Sequence, residues 1–299
     1  MQPKSVVLTL ESPVPHPHIC ENSVMWRLLL FFFIFFPFNC SLGQSFISAI
    51  ADRYQYIPAC FDFSEAGSLQ CRHPGNINKT AKLHFGIYGE NSLIPGGRNY
   101  FNTITLVPVP TGNLSVLVDY VSAGDLHEMQ GGIGYSRQLW PAVQMGIRFN
   151  YYRLRINGYG SASAFPVEWG VVFQLMPRLR TSLCIYNLMG SGLKGEGLYR
   201  IPIVARFGAG YTINNSLGIG LEVVKEMGKP VSFQPMLFYQ PGEKLFFRGG
   251  IAAANRTVFL SCGYMLGQMR LDLSSAFQGI LGWTTGLGLQ FTTRQKEKP

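Results

Sequence analysis

Charge is scarce in this chain. Charged residues make up 14% of it, against roughly 25% in an average soluble protein, and a water-facing surface over 299 residues normally carries more. Long apolar runs are missing too, since none approaches the roughly 18 residues of a membrane-crossing helix. Helix-bundle membrane proteins are thereby excluded. Histidine is sparse, with five in all. Only His73, His84 and His127 lie beyond the N-terminal leader argued for below, and none stands in the motif context of a serine hydrolase, an outer-membrane phospholipase or protease, or a zinc site. We therefore expect no enzyme, no catalytic residue, no metal and no cofactor. What is abundant points elsewhere: 47% hydrophobic and 13% aromatic residues exclude disorder, and glycine numbers 34.

Leu28 to Phe38 form an apolar run preceded by Met25, Trp26 and the single cation Arg27. Its length and flank are those of a secretory signal. Small residues at Ser41 and Gly43 suit a cleavage site that leaves Gln44 first. Lipidation at Cys40 is the minor reading, because Phe38 and Asn39 are large for a lipoprotein signal. The stretch 1–24 carries Pro13, Pro15 and Pro17 and no pattern, which an early start codon with Met25 as initiator explains simply. Removing 1–43 takes away Lys4, Arg27, Glu11 and Glu21, so the net charge of +9 is unchanged. In an exported chain that balance argues against nucleic acid and for anionic lipid headgroups or lipopolysaccharide, with a solvated basic surface as the bland alternative. Cys20 and Cys40 leave with the leader, and Cys184 and Cys262 sit singly in strand-like segments. Cys60 and Cys71 lie close together in a loop-rich stretch, where a disulfide and two free thiols are both open readings.

From residue 81 the pattern has period two. Val143, Met145, Ile147, Phe149 and Tyr151 interleave with Gln144, Gly146, Arg148 and Asn150. Leu217, Ile219, Leu221 and Val223 alternate with Gly218, Gly220 and Glu222, and Met269, Leu271 and Leu273 with Arg270 and Asp272. The alternation predicts fourteen strands, at 81–88, 100–108, 113–121, 129–137, 143–153, 164–175, 179–187, 200–213, 216–226, 230–239, 244–253, 256–264, 268–276 and 282–291. Most have the roughly 9 to 11 residues of a transmembrane β-strand. Through the first eight strands the gaps alternate short and long, as periplasmic turns and outer loops do, whereas the later outer gaps 227–229 and 254–255 are as short as turns. Turn formers such as Pro110, Pro141, Pro177 and Asn214–Asn215 mark the short side, while 122–128, 154–163 and 188–199 are read as long outer loops.

A soluble sandwich also alternates, but its outer face must be charged. Here one phase is apolar and aromatic and the other small and polar, as lipid outside and a lumen inside require. The fold class is all-β, an antiparallel transmembrane β-barrel of about fourteen strands. It comprises a leader at 1–43, a periplasmic or plug segment at 44–80, the barrel at 81–291 and a basic tail at 292–299. Aromatics near strand ends (Tyr100, Phe101, Tyr120, Tyr151, Tyr152, Phe165, Tyr186, Tyr211, Tyr239 and Phe291) are assigned to interfacial girdles. Nine charges fall on the polar phase as candidate lumen-lining residues: Asp119, Arg148, Glu168, Arg180, Arg206, Glu222, Arg248, Arg270 and Asp272. They suit either a ligand-gripping polar track or a salt-bridged ladder that props the barrel open. The glycine clusters Gly131–Gly132–Ile133–Gly134 and Gly208–Ala209–Gly210 lie within strands, where a narrow lumen explains them better than a phosphate loop does.

The segments Ile133-Gly-Tyr-Ser-Arg-Gln-Leu, Met145-Gly-Ile-Arg-Phe-Asn-Tyr-Tyr-Arg-Leu, Gly158-Tyr-Gly-Ser-Ala-Ser and Ile185-Tyr-Asn-Leu-Met-Gly resemble outer-membrane barrels of Bacteroidota. These are similar in turn to the PorV and FadL-like barrels, and the resemblance spans roughly residues 70–291. It implies a monomeric barrel of the cell outer membrane that passes or captures a small apolar molecule. The alternative it implies is a non-transporting scaffold that holds secreted proteins in a type IX-like secretion system. Barrels of this kind often carry an Asn-Pro-Ala-Gly segment that helps close the lumen, and the nearest counterpart here is the divergent His73-Pro74-Gly75-Asn76. Leu188, Met189, Leu193, Leu198 and Tyr199 in the longest outer loop suit either a hydrophobic entry site or a docking surface.

Overall fold

A computed structural model describes residues 50, 73–75, 83–93, 97–194, 201–253, 256–279 and 282–293. The expected leader 1–43, the Cys60 and Cys71 pair, and the tail beyond 293 lie outside the described residues. The two described cysteines, Cys184 and Cys262, are free thiols.

Among the described residues the alternating segments form fifteen strands. They are β1 His84–Ser92, β2 Asn99–Val109, β3 Gly112–Ala123, β4 Leu126–Trp140, β5 Val143–Ile156, β6 Gly160–Ala164, β7 Val167–Met176, β8 Leu179–Tyr186, β9 Val204–Asn214, β10 Leu217–Glu226, β11 Ser232–Tyr239, β12 Leu245–Ala252, β13 Thr257–Leu266, β14 Met269–Gln278 and β15 Gly282–Thr292. All belong to one antiparallel sheet. Strand β1 meets β15 from His84↔Thr292 to Ser92↔Thr284, and β4 meets β5, so the sheet closes on itself. Closure is what lets a sheet exist in hydrocarbon, because an open edge would leave unpaired N–H and C=O groups there.

Strand β5 serves two partners along its length. Val143–Phe149 pair with β7, and Tyr152–Ile156 pair with β6. Strands β6 and β7 therefore lie end to end at one position of a fourteen-strand ring. The expected single strand 164–175 is corrected to this broken pair. The break falls at Phe165–Pro166, where proline has no N–H to donate and biases the residue before it. Sequence reading placed Gly160 to Ser163 in a loop because small residues show no alternation, yet they form most of β6. His127, expected in an outer loop, lies in β4, and the strand expected from residue 200 starts at Val204.

Connections at one end are short: two residues each at Pro110–Thr111, Pro141–Ala142, Pro177–Arg178, Asn215–Ser216 and Gly267–Gln268, and five at Gln240–Lys244. The opposite end is less open than the gap lengths suggested. Gly124–Asp125 joins β3 to β4, and 157–159 join β5 to β6. Gly124 at φ 57° and Gly158 at φ 80° supply the left-handed conformations such tight reversals need. Residues assigned to long loops instead lengthen β4 and β5, and the one long connection runs from β8 to β9.

The apolar phase faces outward and is uncovered. Ile133 is 65% exposed and Phe149 61%, and no second sheet lies over them among the described residues. That excludes a sandwich. Of the aromatics assigned to girdles, Phe101, Tyr120, Tyr151, Phe165, Tyr211, Tyr239 and Phe291 face outward, but Tyr100, Tyr152 and Tyr186 are buried inside the barrel. The correction follows from pleating, since neighbours such as Tyr151 and Tyr152 must point to opposite faces.

Candidate functional site

The barrel interior is filled in three chemically distinct zones. Its polar belt comes from β5, β7, β9 and β10. Arg148 and Glu168 are directly opposed across β5 and β7, and their side chains meet at 3.1 Å, fully buried. Asn150 donates to the other carboxylate oxygen of Glu168 at 3.0 Å. Arg206 reaches Glu222 at 3.4 Å from the adjacent strand. Buried guanidinium–carboxylate pairs of this kind satisfy each other where neither alone would be tolerated.

A piece of the N-terminal segment sits in this belt. Gly146 and Gly170 are cross-strand partners on β5 and β7, and Pro74 and Gly75 lie against the backbone they leave bare. A methyl group on Gly146 would overlap the Pro74 carbonyl, and one on Gly170 would fall 2.6 Å from Cε1 of His73. His73 is itself buried, and its Nε2 lies 2.9 Å from the Leu183 carbonyl of β8. The Gly75 amide donates to Nδ1 at 3.0 Å, so Nε2 carries the proton and donates to Leu183. Burial holds the His73 imidazole down at about 3, with Arg180, Arg148 and Arg206 pushing the same way and the Leu183 hydrogen bond opposing. This neutral form is the one the hydrogen bonds require.

Toward the end with the long connection the interior turns apolar. Tyr88, Tyr100, Leu117, Val121, Tyr152, Leu154, Tyr186, Val204 and Val224 cluster there with Ile50. Leu193 and Ile201, from the β8–β9 connection, close over them. Asn187 starts that connection at φ 55°, a conformation asparagine tolerates. Its side chain donates to the Ile201 carbonyl at 2.8 Å and accepts from the Ser191 amide at 2.8 Å, which folds the connection inward. The tyrosines keep polar tips satisfied: Tyr100 donates to Asp119 at 2.6 Å and Tyr186 to Gln130 at 2.8 Å. Asn102 also donates to Asp119, at 2.7 Å, and Glu128 accepts the Ile50 amide at 3.0 Å.

The third zone lies at the short-turn end between β9 and β14. A cavity of about 110 Å³ is lined there by Phe238, Phe246, Arg248, Ser261, Arg270 and Asp272, among others. Arg270 pairs with Asp272 at 2.8 Å and lies 4.8 Å from the centroid of the Phe246 ring. Gln290 donates to the second oxygen of Asp272 at 2.5 Å. Arg248 donates to Ser261 at 3.2 Å.

The nine charges singled out by alternation thus fall into separate groups. Arg148–Glu168, Arg206–Glu222 and Arg270–Asp272 are paired, Asp119 anchors Tyr100 and Asn102, and the Arg180 charge disfavours protonation of His73. Arg248 joins Arg270 and Asp272 at the cavity. Sequence reasoning singled out His73-Pro74-Gly75-Asn76 as a divergent counterpart of a lumen-closing segment without foreseeing its contacts on β5, β7 and β8, and it did not single out the buried Glu128, Gln130 and Gln234. The facing glycines Gly146 and Gly170 were the available signal, because paired notches on one phase need something to fill them. No cluster of His, Cys, Asp and Glu able to hold a metal occurs among the described residues.

No protein-family model and no curated protein sequence matches the chain. Its fold does match solved channels. The Pseudomonas putida toluene transporter TodX superposes with a TM-score of 0.59 at 8% identity, over 81% of this chain and 96% of that one. The CymD monoaromatic hydrocarbon channel gives 0.57 at 11% identity over 81% and 96%, and the Ralstonia pickettii toluene transporter TbuX gives 0.53 at 10% over 75% and 92%. At such identities the likeness is one of architecture: a closed antiparallel barrel of the outer-membrane kind.

Proposed function

We propose that this protein is a FadL-like channel of the cell outer membrane that captures small apolar molecules and passes them inward. The supporting observation is the apolar zone inside the barrel, where Leu117, Val121, Tyr152, Leu154 and Tyr186 pack with Ile50, Leu193 and Ile201 in an interior that a water-filled pore would make polar. Desolvating an apolar solute against such surface is favourable by about 25 cal/mol per Å². The interruption between β6 and β7 at Phe165–Pro166, where the Pro166 carbonyl still accepts from the Asn150 amide at 3.0 Å, stands at the same level, since Ala164 and its cross-strand partner Tyr152 both belong to that zone. A lateral route there would deliver an apolar solute into the bilayer without crossing the charged belt. The toluene and monoaromatic hydrocarbon channels that share the fold make monoaromatic hydrocarbons the first solutes to try.

The test is flux through the purified barrel in proteoliposomes. Accelerated entry of toluene without swelling in sugar solutions is the expected result. Sugar-driven swelling, or toluene entry no faster than in empty liposomes, would overturn the reading. Absent flux together with co-purified secreted proteins would favour the scaffold alternative.

A further inference from the structure

Acidic residues are confined to one face of the wall, whereas arginines occur on both. Every acidic residue in the described strands, from Glu90 on β1 to Asp272 on β14, shares the inward phase. The outward phase carries cations: Arg137, Arg153, Arg155 and Lys225. Two of these stand together on β5. Arg153 and Arg155 alternate with the buried Tyr152 and Leu154, so both point away from the barrel, about 7 Å apart by strand rise. Arg155 is opposite His127 on β4 and Ser161 on β6, and Arg153 is opposite Ser163. Neither arginine forms an ion pair among the described residues. Arg153 reaches the Ser161 hydroxyl at 3.4 Å. The Tyr120 ring stacks on His127 with centroids 6.3 Å apart, and its hydroxyl is hydrogen-bonded to Nδ1 at 3.0 Å.

Height along the wall says what faces these groups. Moving along β5 toward its far end, the outward side chains run Phe149, Tyr151, Arg153, Arg155. The Tyr151 ring lies 5.4 Å from that of Phe165, an aromatic pair of the kind that marks the edge of the hydrocarbon. The arginines come after it, at headgroup depth, where a lipid-facing cation is tolerated. Guanidinium forks match phosphate oxygens bidentately, and among the described residues no carboxylate is ion-paired with them.

We propose that Arg153 and Arg155, with His127 and the hydroxyls of Ser161 and Ser163, bind the phosphates of lipid A in the outer leaflet. The end bearing the long β8–β9 connection is the outer one, and there a phosphorylated sugar, not a glycerophospholipid, is the neighbouring headgroup. The hydroxyl donors beside the two forks suit a sugar phosphate. The site rests on the outer-membrane reading and is independent of what the channel carries.

The test measures lipid binding to the full chain in detergent by native mass spectrometry, with bis-phosphorylated lipid A, dephosphorylated lipid A, phosphatidylglycerol and inorganic phosphate as probes. Lipid A is expected to bind at least tenfold more tightly than the other three. The double variant Arg153→Gln, Arg155→Gln should lose at least tenfold of that affinity, while Arg137→Gln, at the other end of the wall, should bind like the parent. Parent-like binding by the double variant, or equal binding of dephosphorylated lipid A, phosphatidylglycerol or free phosphate by the parent, would overturn the proposal. Should the glutamine pair fail to fold, Arg153→Lys, Arg155→Lys decides: several-fold weakening supports the forked contacts and unchanged binding refutes them. Insertion into neutral-lipid vesicles is recorded in parallel. A parent that does not insert sinks the membrane reading itself, whereas an inserting double variant with full lipid A affinity sinks only this site.

Discussion

A single methyl group at Gly146 tests how the N-terminal segment is held in the barrel. The Cβ of Gly146→Ala would overlap the carbonyl oxygen of Pro74 and press on the carbonyl carbon at 2.5 Å and the Gly75 amide at 3.0 Å. All three are backbone atoms, so no rotamer change relieves the overlap. Either β5 bends or Pro74–Gly75 lifts off, and β5 is tied on both sides by ladders to β4 and β7. Overpacking of this kind costs about 1–3 kcal/mol, which shifts the docked-to-undocked ratio roughly 5- to 150-fold. The assay is hydrogen exchange of peptides spanning residues 73–75, with the barrel strands as internal reference. Gly131→Ala is the control, because a methyl there meets nothing within 4 Å. Exchange at 73–75 should quicken in Gly146→Ala while β5 and the control stay at parent rates. Unchanged exchange at 73–75 would refute the notch, and faster exchange across β5 and β7 as well would mean that the wall, not the segment, yielded.

Three further outcomes follow from the same contacts. Removing one partner of the buried belt, as in Glu168→Ala, strands Arg148 and should cost about 3–5 kcal/mol in urea unfolding from vesicles, while Arg148→Met with Glu168→Leu should recover most of it. A parent-like single variant would contradict this. Phe149→Arg, on the outward phase below the aromatic edge, should destabilise by about 2–4 kcal/mol, and Met129→Arg, beside Arg153, by about 1 kcal/mol or less. Equal costs would misplace the hydrocarbon boundary. His73 binds its proton less readily when docked than when released, so docking is fully present above the ordinary histidine range and is lost as pH falls from about 6.5 toward about 3. Exchange at Gly75 should therefore rise, after correction for intrinsic rates, over that interval, and His73→Asn should abolish the trend.

The alternation of residues 81–291 was enough to specify an antiparallel barrel of fourteen positions and to put Asp119, Arg148 and Glu168 on one phase, because side-chain direction in a strand depends only on parity. Parity also carried information that girdle assignment overlooked: Tyr151 and Tyr152 cannot both face lipid. Other features have no local signature. The split of one expected strand into β6 and β7 depends on how β5 shares its two ends, and the docking of His73 depends on a carbonyl 110 residues away. The same holds for the interior's change from charged to apolar along its length, since strand tilt and stagger decide which inward residues share a level. Periodicity determines faces, and only closure of the sheet determines heights and neighbours.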